Sequence, residues 1–352
     1  MAIRAAEPGR VNVIGEHTEY NGGFVLPTAI PQQTEVELER RPDQQVVARS
    51  ASAQPAGAYA LGEERTGRGW LDYVQGITWV LREAGYVLGG FEASIRSDVP
   101  LGGGLSSSAA LEVSLLRALR AAFQLDLDDV ALARLGQRAE NEFVGARVGI
   151  MDQMAASLAD RHTALFLDTR SLEYRRVPLP PAAELVVVHS GITHGHAGGE
   201  YNARRRDCEE AAARLGVAQL RDLGPADLPR LAELPDRLAR RARHVISEDQ
   251  RVLDAVQALE DGDLVRLGQL LSASHASMRD DYEVSTPDID LLVGLAHANP
   301  DVYGARLTGG GFGGAIVALA RAGTGRTVAE RLARTYAERS GRSPSVLVPP
   351  PS

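Results

Sequence analysis

The sequence predicts a two-domain α+β protein, and three observations carry that prediction. At 352 residues the chain is long enough for about two domains. Short apolar and alternating runs of strand type crowd its first hundred residues, before long Ala/Leu-rich helical stretches begin. A Pro-rich stretch, PLPP at Pro178–Pro181, then separates this mixed half from one dominated by charged, amphipathic helices. The boundary is placed near residue 185, giving domains of residues 1–185 and 186–352.

The elements follow in order. Ile3–Ala6 is short, and Pro8–Asn12 reads as a turn-rich entry. Gly23–Ile30 reads as a strand, and Thr34–Glu39 and Gln45–Arg49 as half-exposed strands. Gly69–Glu83 carries Trp70, Tyr73, Val74, Ile77 and Val80 at helical spacing. Phe91–Ile95 is a strand leading to Pro100. Ser107–Gln124 is a helix opening directly after glycines, and another runs from Asp128, its N-cap, to Ala146. Ala164–Asp168 and Leu185–Val188 are β-like. Further helices are expected at Glu200–Leu215, in Ser247–Leu271 with a break at Gly262-Asp263, at Pro287–Ala298 and at Thr327–Arg339. Ala305–Leu307 and Ala315–Leu319 read as strands, and the tail VPPPS as disordered.

Composition narrows the chemistry. The chain is 44% hydrophobic and 24% charged, enough to bury a sizeable core. Its net charge of -8 argues against a nucleic-acid partner. No apolar run has the length of a membrane helix, and no charged-then-apolar leader is seen, so a cytoplasmic protein is expected. The one cysteine, Cys208, cannot form an internal disulfide. There is no lysine: all 38 basic residues are arginine. This excludes a Walker-type phosphate loop and the protein-kinase fold, which both need one.

Three blocks carry the functional signal. Pro8–Pro27 (PGRVNVIGEHTEYNGGFVLP) places Arg10, Glu16, His17 and Glu19 between apolar runs. Such groups are costly to bury unless a polar ligand uses them, and a sugar needs both donors and acceptors. Leu101–Leu111 (LGGGLSSSAAL) is a strand–glycine loop–helix unit. Gly102, Gly103 and Gly104 permit close backbone approach, and the N–H groups and dipole at Leu105, Ser106, Ser107 and Ser108 favour a phosphate. Leu307–Leu319 (LTGGGFGGAIVAL) places Gly309, Gly310 and Gly311 in a loop between strands. Finally, VGIMDQMAA sets Asp152 in an apolar run after Gly149, where an acid is expensive unless paired or catalytic.

In this order the three blocks resemble the GHMP family of small-molecule kinases, and GEHTEYN resembles its galactokinase members. The resemblance spans nearly the whole chain, including MRDDYEVSTPDIDLLV (Met278–Val293). It implies an N-terminal ribosomal-protein-S5-like domain and a C-terminal ferredoxin-like domain, with the active site between them. It also implies ATP and Mg²⁺, with the phosphoryl group passing to the anomeric hydroxyl of galactose. Asp152 would accept or orient the hydroxyl proton, and Arg10 would keep it ionised. Ser108 and Glu140 would coordinate magnesium, while nearby Glu142 reads as a solvated face. Glu16, His17, Glu19, the backbone at Gly149 and Tyr201 would bind the sugar, and the third block would close against the phosphate loop. Trp70 and Tyr73 either wall the adenine or are core aromatics. A monomer is the family precedent.

Two departures qualify the resemblance. Glu19 stands where the galactokinase signature usually has Asp, which opens the alternative of a related sugar 1-kinase acting on N-acetylgalactosamine, arabinose or another pyranose. Thr193 stands where a basic residue is common. A non-catalytic sugar and ATP sensor is the rival of another class, but SSSAALE, Arg10 and Asp152 are all intact. His189, His194 and His196 hint at a metal pair that no Cys or acid completes.

Overall fold

The computed structural model describes residues 2–52, 55–192 and 197–349. Thr193, His194, His196 and the last three residues of the Pro-rich tail lie outside the described residues. The chain runs β1 (Ile3–Asn12), β2 (Phe24–Val25), β3 (Pro27–Arg40), β4 (Gln45–Ser50), β5 (Gly57–Ala60), α1 (Leu71–Glu83), β6 (Phe91–Ser97), α2 (Ser107–Phe123), α3 (Asp129–Arg138) and α4 (Met151–Leu158). There follow β7 (Thr163–Asp168), β8 (Tyr174–Pro178), β9 (Ala183–His189), α5 (Ala197–Leu215), α6 (Asp236–Asp261), α7 (Leu264–Asp280), α8 (Pro287–His297), β10 (Val302–Thr308), β11 (Ala315–Arg321), α9 (Gly325–Ser340) and β12 (Ser345–Val348).

Packing divides the chain into two compact units. The first takes the chain up to Arg10, then Ala29–Leu101 and Leu105–Ala159; the second takes Val11–Thr28, Gly102–Gly104 and everything from Asp160 onward. The PLPP segment therefore falls inside the second unit, because β8 pairs there with β7, and β7 with β2.

In the first unit a five-stranded sheet of order β1-β3-β6-β4-β5 is covered by helices. Its core joins Val36, Leu38, Phe91 and Ile95 of the sheet to Val74, Ile77 and Leu81 of α1 and Leu115, Leu116 and Leu119 of α2. β1 continues through Pro8 to Asn12, where a turn-rich entry was expected. Proline is tolerated because β1 is an edge strand and the missing N–H breaks no ladder. Asp128 caps α3 by accepting from Ala131 N at 2.6 Å, but that helix does not run on unbroken to Ala146. It passes into a π-helical turn, Ala139–Val144, ended by Gly145 at φ 88°. α4 carries no period readable in sequence, since all its residues but Asp152 are buried.

In the second unit an antiparallel sheet of order β10-β11-β9-β12 lies between two apolar layers. Ile316, Ala318, Val186 and Val188 face a core with α5, α8, α9 and the first half of α6. Leu319 faces a core with Val252, Val256 and Leu259 of α6 and Leu267 and Leu271 of α7. β12 includes Val348, so the expected disorder does not begin there: Val348 pairs with Val187. β5 and β8 were not expected at all, being short and polar.

Two anchors matter for the segment between β1 and β3. α6 presents Glu248, which accepts from Gly15 N at 3.1 Å, and Asp249, which accepts from Phe24 N at 2.8 Å. Burial opposes the charge of Glu248, but Arg251, His244 and Arg306 together hold it down to about 2. Burial pushes Asp249 up to about 7, only partly offset by Phe24 N–H and Arg221. Its Oδ2 is buried without a partner, as suits a protonated carboxyl. The second close fit lies between α7 and β10: a Cβ on Gly304 would lie 2.0 Å from the Gly268 carbonyl oxygen.

Gly304→Ala should therefore cost about 3 kcal/mol, because backbone must retreat from backbone. A urea midpoint equal to wild type would show that the helix moves away freely. Asp249 binds its proton more tightly folded than unfolded, so its stabilising contribution is full below about pH 4 and is lost as pH rises through 7. Asp249→Asn keeps the acceptor for Phe24 and does not titrate. Its melting temperature relative to wild type should climb between pH 4 and 8; a gap independent of pH would show that Asp249 is not held protonated.

Candidate active site

The polar construction of the first unit converges on Asp152, in the first turn of α4. Arg10, arriving from β1, donates to Oδ1 from Nε at 2.8 Å and from Nη2 at 2.6 Å. Ser106 donates to Oδ2 at 2.5 Å. The Arg10 side chain is 7% exposed and that of Asp152 27%, so the carboxylate is fixed on two sides and open on another. Ser106 has a left-handed backbone, φ 62° and ψ 46°, a costly state for a residue with a Cβ. Its hydroxyl does not cap α2 but goes to Asp152. The carbonyl of Leu105, just before it, accepts from Arg10 N at 3.1 Å.

A second cluster lies on α2, α4 and the π-helical turn. Gln153 donates through Nε2 to Glu140 at 2.8 Å and to Glu112 at 3.0 Å. Ser108 also hydrogen-bonds Glu140. Burial, then the charge of Asp152, pushes Glu140 up to about 7, and burial with Glu140 beside it raises Glu112 well above the usual carboxylate range. Each of these influences on Glu140 comes from burial, an acid or a neutral group; none comes from a cation. Among the described residues no group of three or more His, Cys, Asp or Glu could hold a metal alone. One carboxylate and one hydroxyl, hard oxygen donors short of a full shell, do suit magnesium, which takes its remaining ligands from water and phosphates. Glu142, by contrast, is exposed and pairs with Arg138.

The remaining candidates here are less engaged. Ser107 opens α2 and is half-buried. Gly149 is half-buried two residues before α4. Trp70 and Tyr73 are half-buried at the start of α1; Trp70 packs on the core and donates to Pro55 O at 3.4 Å. Burial, with Glu140 and Glu112 nearby, pushes the Tyr73 hydroxyl up to about 12.

The second unit gathers the acids and histidine of the first block around the third. Glu16 accepts through Oε1 from Gly309 N at 2.8 Å and from Thr308 Oγ1 at 3.2 Å, with Arg306 Nη2 at 3.6 Å. Glu19 accepts from the Tyr201 hydroxyl at 2.8 Å. His17, with φ 65°, contacts Tyr20 through Nδ1 at 2.9 Å. Burial, then His244, Arg204 and Arg306, lowers its pKa to about 3, so the ring is neutral. A Cβ on Gly310 would touch the Tyr201 ring at 3.5 Å. Gly309 lies against Gly104, its Cβ position 3.5 Å from the Gly104 carbonyl oxygen. Gly102 and Gly104 have φ of 68° and 71°, while Gly103 is buried. A Cβ on Gly311, φ 84°, would lie 2.5 Å from Val284 O.

Several engaged residues escaped sequence reasoning. Glu112 and Gln153 sit in apolar helical runs, and the argument from expensive burial that singled out Asp152 applied equally to them. Arg306, in a β-strand with 0% exposure, carried the same signal. Tyr20, Cys208, His244 and Tyr282 gave none, since each type is common in cores.

Comparison with known proteins accords with this geometry. Residues 3–40 match the galactokinase galactose-binding signature, residues 72–160 the GHMP kinases N terminal domain and residues 255–338 the GHMP kinases C terminal domain. A galactokinase of Roseiflexus sp. is 44% identical over 99% of this chain and 90% of its own length. That of Streptomyces coelicolor is 45% identical over 99% and 92%. The structure of Lactococcus lactis galactokinase complexed with galactose superposes with a TM-score of 0.94 at 34% identity, covering 98% of this chain and 92% of that one. Methanococcus jannaschii mevalonate kinase, at 18% identity and a TM-score of 0.70, shares the fold. The chain belongs to the galactokinase family of GHMP kinases.

Proposed function

We propose that the protein transfers the γ-phosphoryl group of ATP to the anomeric hydroxyl of α-D-galactose, giving galactose 1-phosphate and ADP. The observation that carries this reading is that the galactose-binding signature coincides with built polar contacts. Arg10, Glu16, His17 and Glu19 lie within residues 3–40, and each is engaged as described above.

The chemistry follows from the residues. The sugar C1 oxygen attacks the γ-phosphorus, the bond from phosphorus to the bridging oxygen breaks, and the hydroxyl proton leaves to the Asp152 carboxylate or through it to water. Asp152 is already oriented by Arg10 and Ser106, so little reorganisation accompanies the transfer. The N–H groups of Gly102–Ser108 cradle phosphate, and the third block closes on it. Ser108 and Glu140 would hold Mg²⁺, which supplies charge neutralisation on the phosphates. Glu16, His17, Glu19, Gly149 and Tyr201 bind the sugar, and Trp70 and Tyr73 meet the nucleotide. The protein acts in the cytoplasm as a monomer, without nucleic-acid or membrane partners. Among the described residues, no helix is long and apolar enough to cross a membrane.

Glu19 supports a second reading, a 1-kinase for a neighbouring sugar. Its carboxylate reaches Tyr201, and an Asp would stop about 1.5 Å short.

ADP release from Mg·ATP with galactose, N-acetylgalactosamine, glucose and arabinose should show the highest kcat/KM for galactose. No turnover with any sugar, despite binding, would favour a sensor. Asp152→Asn should keep ATP binding and lose about 10²–10⁴-fold in kcat; near-normal kcat would remove Asp152 from its role. Glu19→Asp should sharpen the preference for galactose, and unchanged relative kcat/KM across the panel would clear Glu19 of setting specificity.

A further inference from the structure

Beneath the sugar-binding residues of the second unit runs a chain of buried hydroxyl and thiol groups that the reaction itself does not use. Cys208 Sγ lies 3.0 Å from the Tyr282 hydroxyl. The Tyr282 hydroxyl lies 2.7 Å from that of Tyr20, which lies 2.9 Å from His17 Nδ1. His17, Cys208 and Tyr282 are at most 2% exposed. The Tyr282 ring is stacked obliquely between His17 and His244, with centroids 4.7 and 4.5 Å away.

We infer that this chain fixes the tautomer of His17, placing its hydrogen on Nε2 so that the ring offers a ligand oxygen a donor. In a line of hydroxyls each O–H donates once, so the ends set the direction of all the bonds. The ends of the line are a thiol and a neutral imidazole nitrogen, and sulfur is the weaker acceptor of the two. The line therefore runs toward the ring: Cys208 gives its S–H to Tyr282, Tyr282 donates to Tyr20, and Tyr20 to Nδ1.

Among the described residues nothing meets the buried Nε2, so a hydrogen there is available to a ligand oxygen. The ring's neutrality leaves one hydrogen to place, and the chain places it.

Tyr20, Tyr282 and Cys208 are thus positioning residues. That the acceptor is a sugar oxygen rests on the function proposed above; the tautomer does not. The test is therefore read first on the protein without ligand. In protein labelled with ¹⁵N-histidine, long-range ¹H–¹⁵N correlation at pH 7, with the His17 signals assigned by their loss in His17→Asn, should show a pyrrole-type Nε2 and a pyridine-type Nδ1. A hydrogen on Nδ1, or an imidazolium, overturns the inference whatever sugar is phosphorylated. Tyr20→Phe keeps the ring and removes the donor. It should give mixed tautomers and raise the sugar KM about three- to tenfold, the worth of one hydrogen bond, with the ATP KM unchanged. A single Nε2–H tautomer in Tyr20→Phe would equally overturn it. Should that variant fail to fold, Cys208→Ala, which removes only the thiol, takes its place and should shift the His17 nitrogen signals toward the mixture; unmoved signals count against the inference. Absence of galactose turnover with the tautomer as described would instead indict the proposed substrate.

Discussion

The structure of the second unit depends on burying a segment that has almost no regular secondary structure. Val11–Ile14, Glu16–Thr18 and Asn21 are all buried, yet between β1 and β2 only one 3₁₀ turn, Glu19–Asn21, intervenes. Backbone groups away from water need partners, and an irregular chain supplies only some of them itself, as in Asn21 N to Thr18 O and Asn21 Nδ2 to His17 O. Others come from Glu248 and Asp249 on α6, His244 one turn before them, Arg306 on β10 and Thr308 where β10 ends. The shape of this segment is thus written in good part in residues more than two hundred positions away.

That distance explains what the sequence revealed and what it hid. Elements with a period of their own were legible: α1, α2, the break between α6 and α7, and the glycine loop between β10 and β11. So was Asp152, an acid set in an apolar run, although Glu112, Gln153 and Arg306 carried the same signal and were passed over. What stayed hidden was defined by a partner elsewhere. β12 exists because β9 offers an edge, although its own residues read as a tail. The π-helical turn looks like plain helix until the extra residue turns Glu140 toward Gln153. Tyr20 and Tyr282, 262 positions apart, are unremarkable singly and acquire meaning only from their 2.7 Å contact.

Adjacent residues also part company by environment. Glu248 and Asp249 are neighbours on one helix, both buried, and their carboxyls are driven to about 2 and about 7. The difference is the company of Arg251, His244 and Arg306 beside Glu248 against a single offsetting cation, Arg221, beside Asp249. Glu140, whose neighbours are neutral or acidic, sides with Asp249, burial driving it up to about 7. For Asp249 the offsetting cation, Arg221, comes from outside the helix and local sequence gives no sign of it, whereas Arg251 lies one turn along the same helix from Glu248.

The absence of lysine has a structural counterpart here. Arg306 is completely buried, and its Nη1 alone serves the carbonyls of Asn12 at 3.1 Å and Val13 at 3.0 Å, while Nη2 faces Glu16. An ammonium offers three donors around one point on a flexible stem; a guanidinium offers a rigid planar fork of five. Only the fork can hold two successive carbonyls and a carboxylate in one fixed relation. Because Glu16 in turn receives Gly309 N–H, the plane of one guanidinium sets both where the first block turns and where the third begins. Replacing that cation by a lysine would preserve charge and lose the geometry, so the arrangement constrains the residue type more tightly than burial or charge alone.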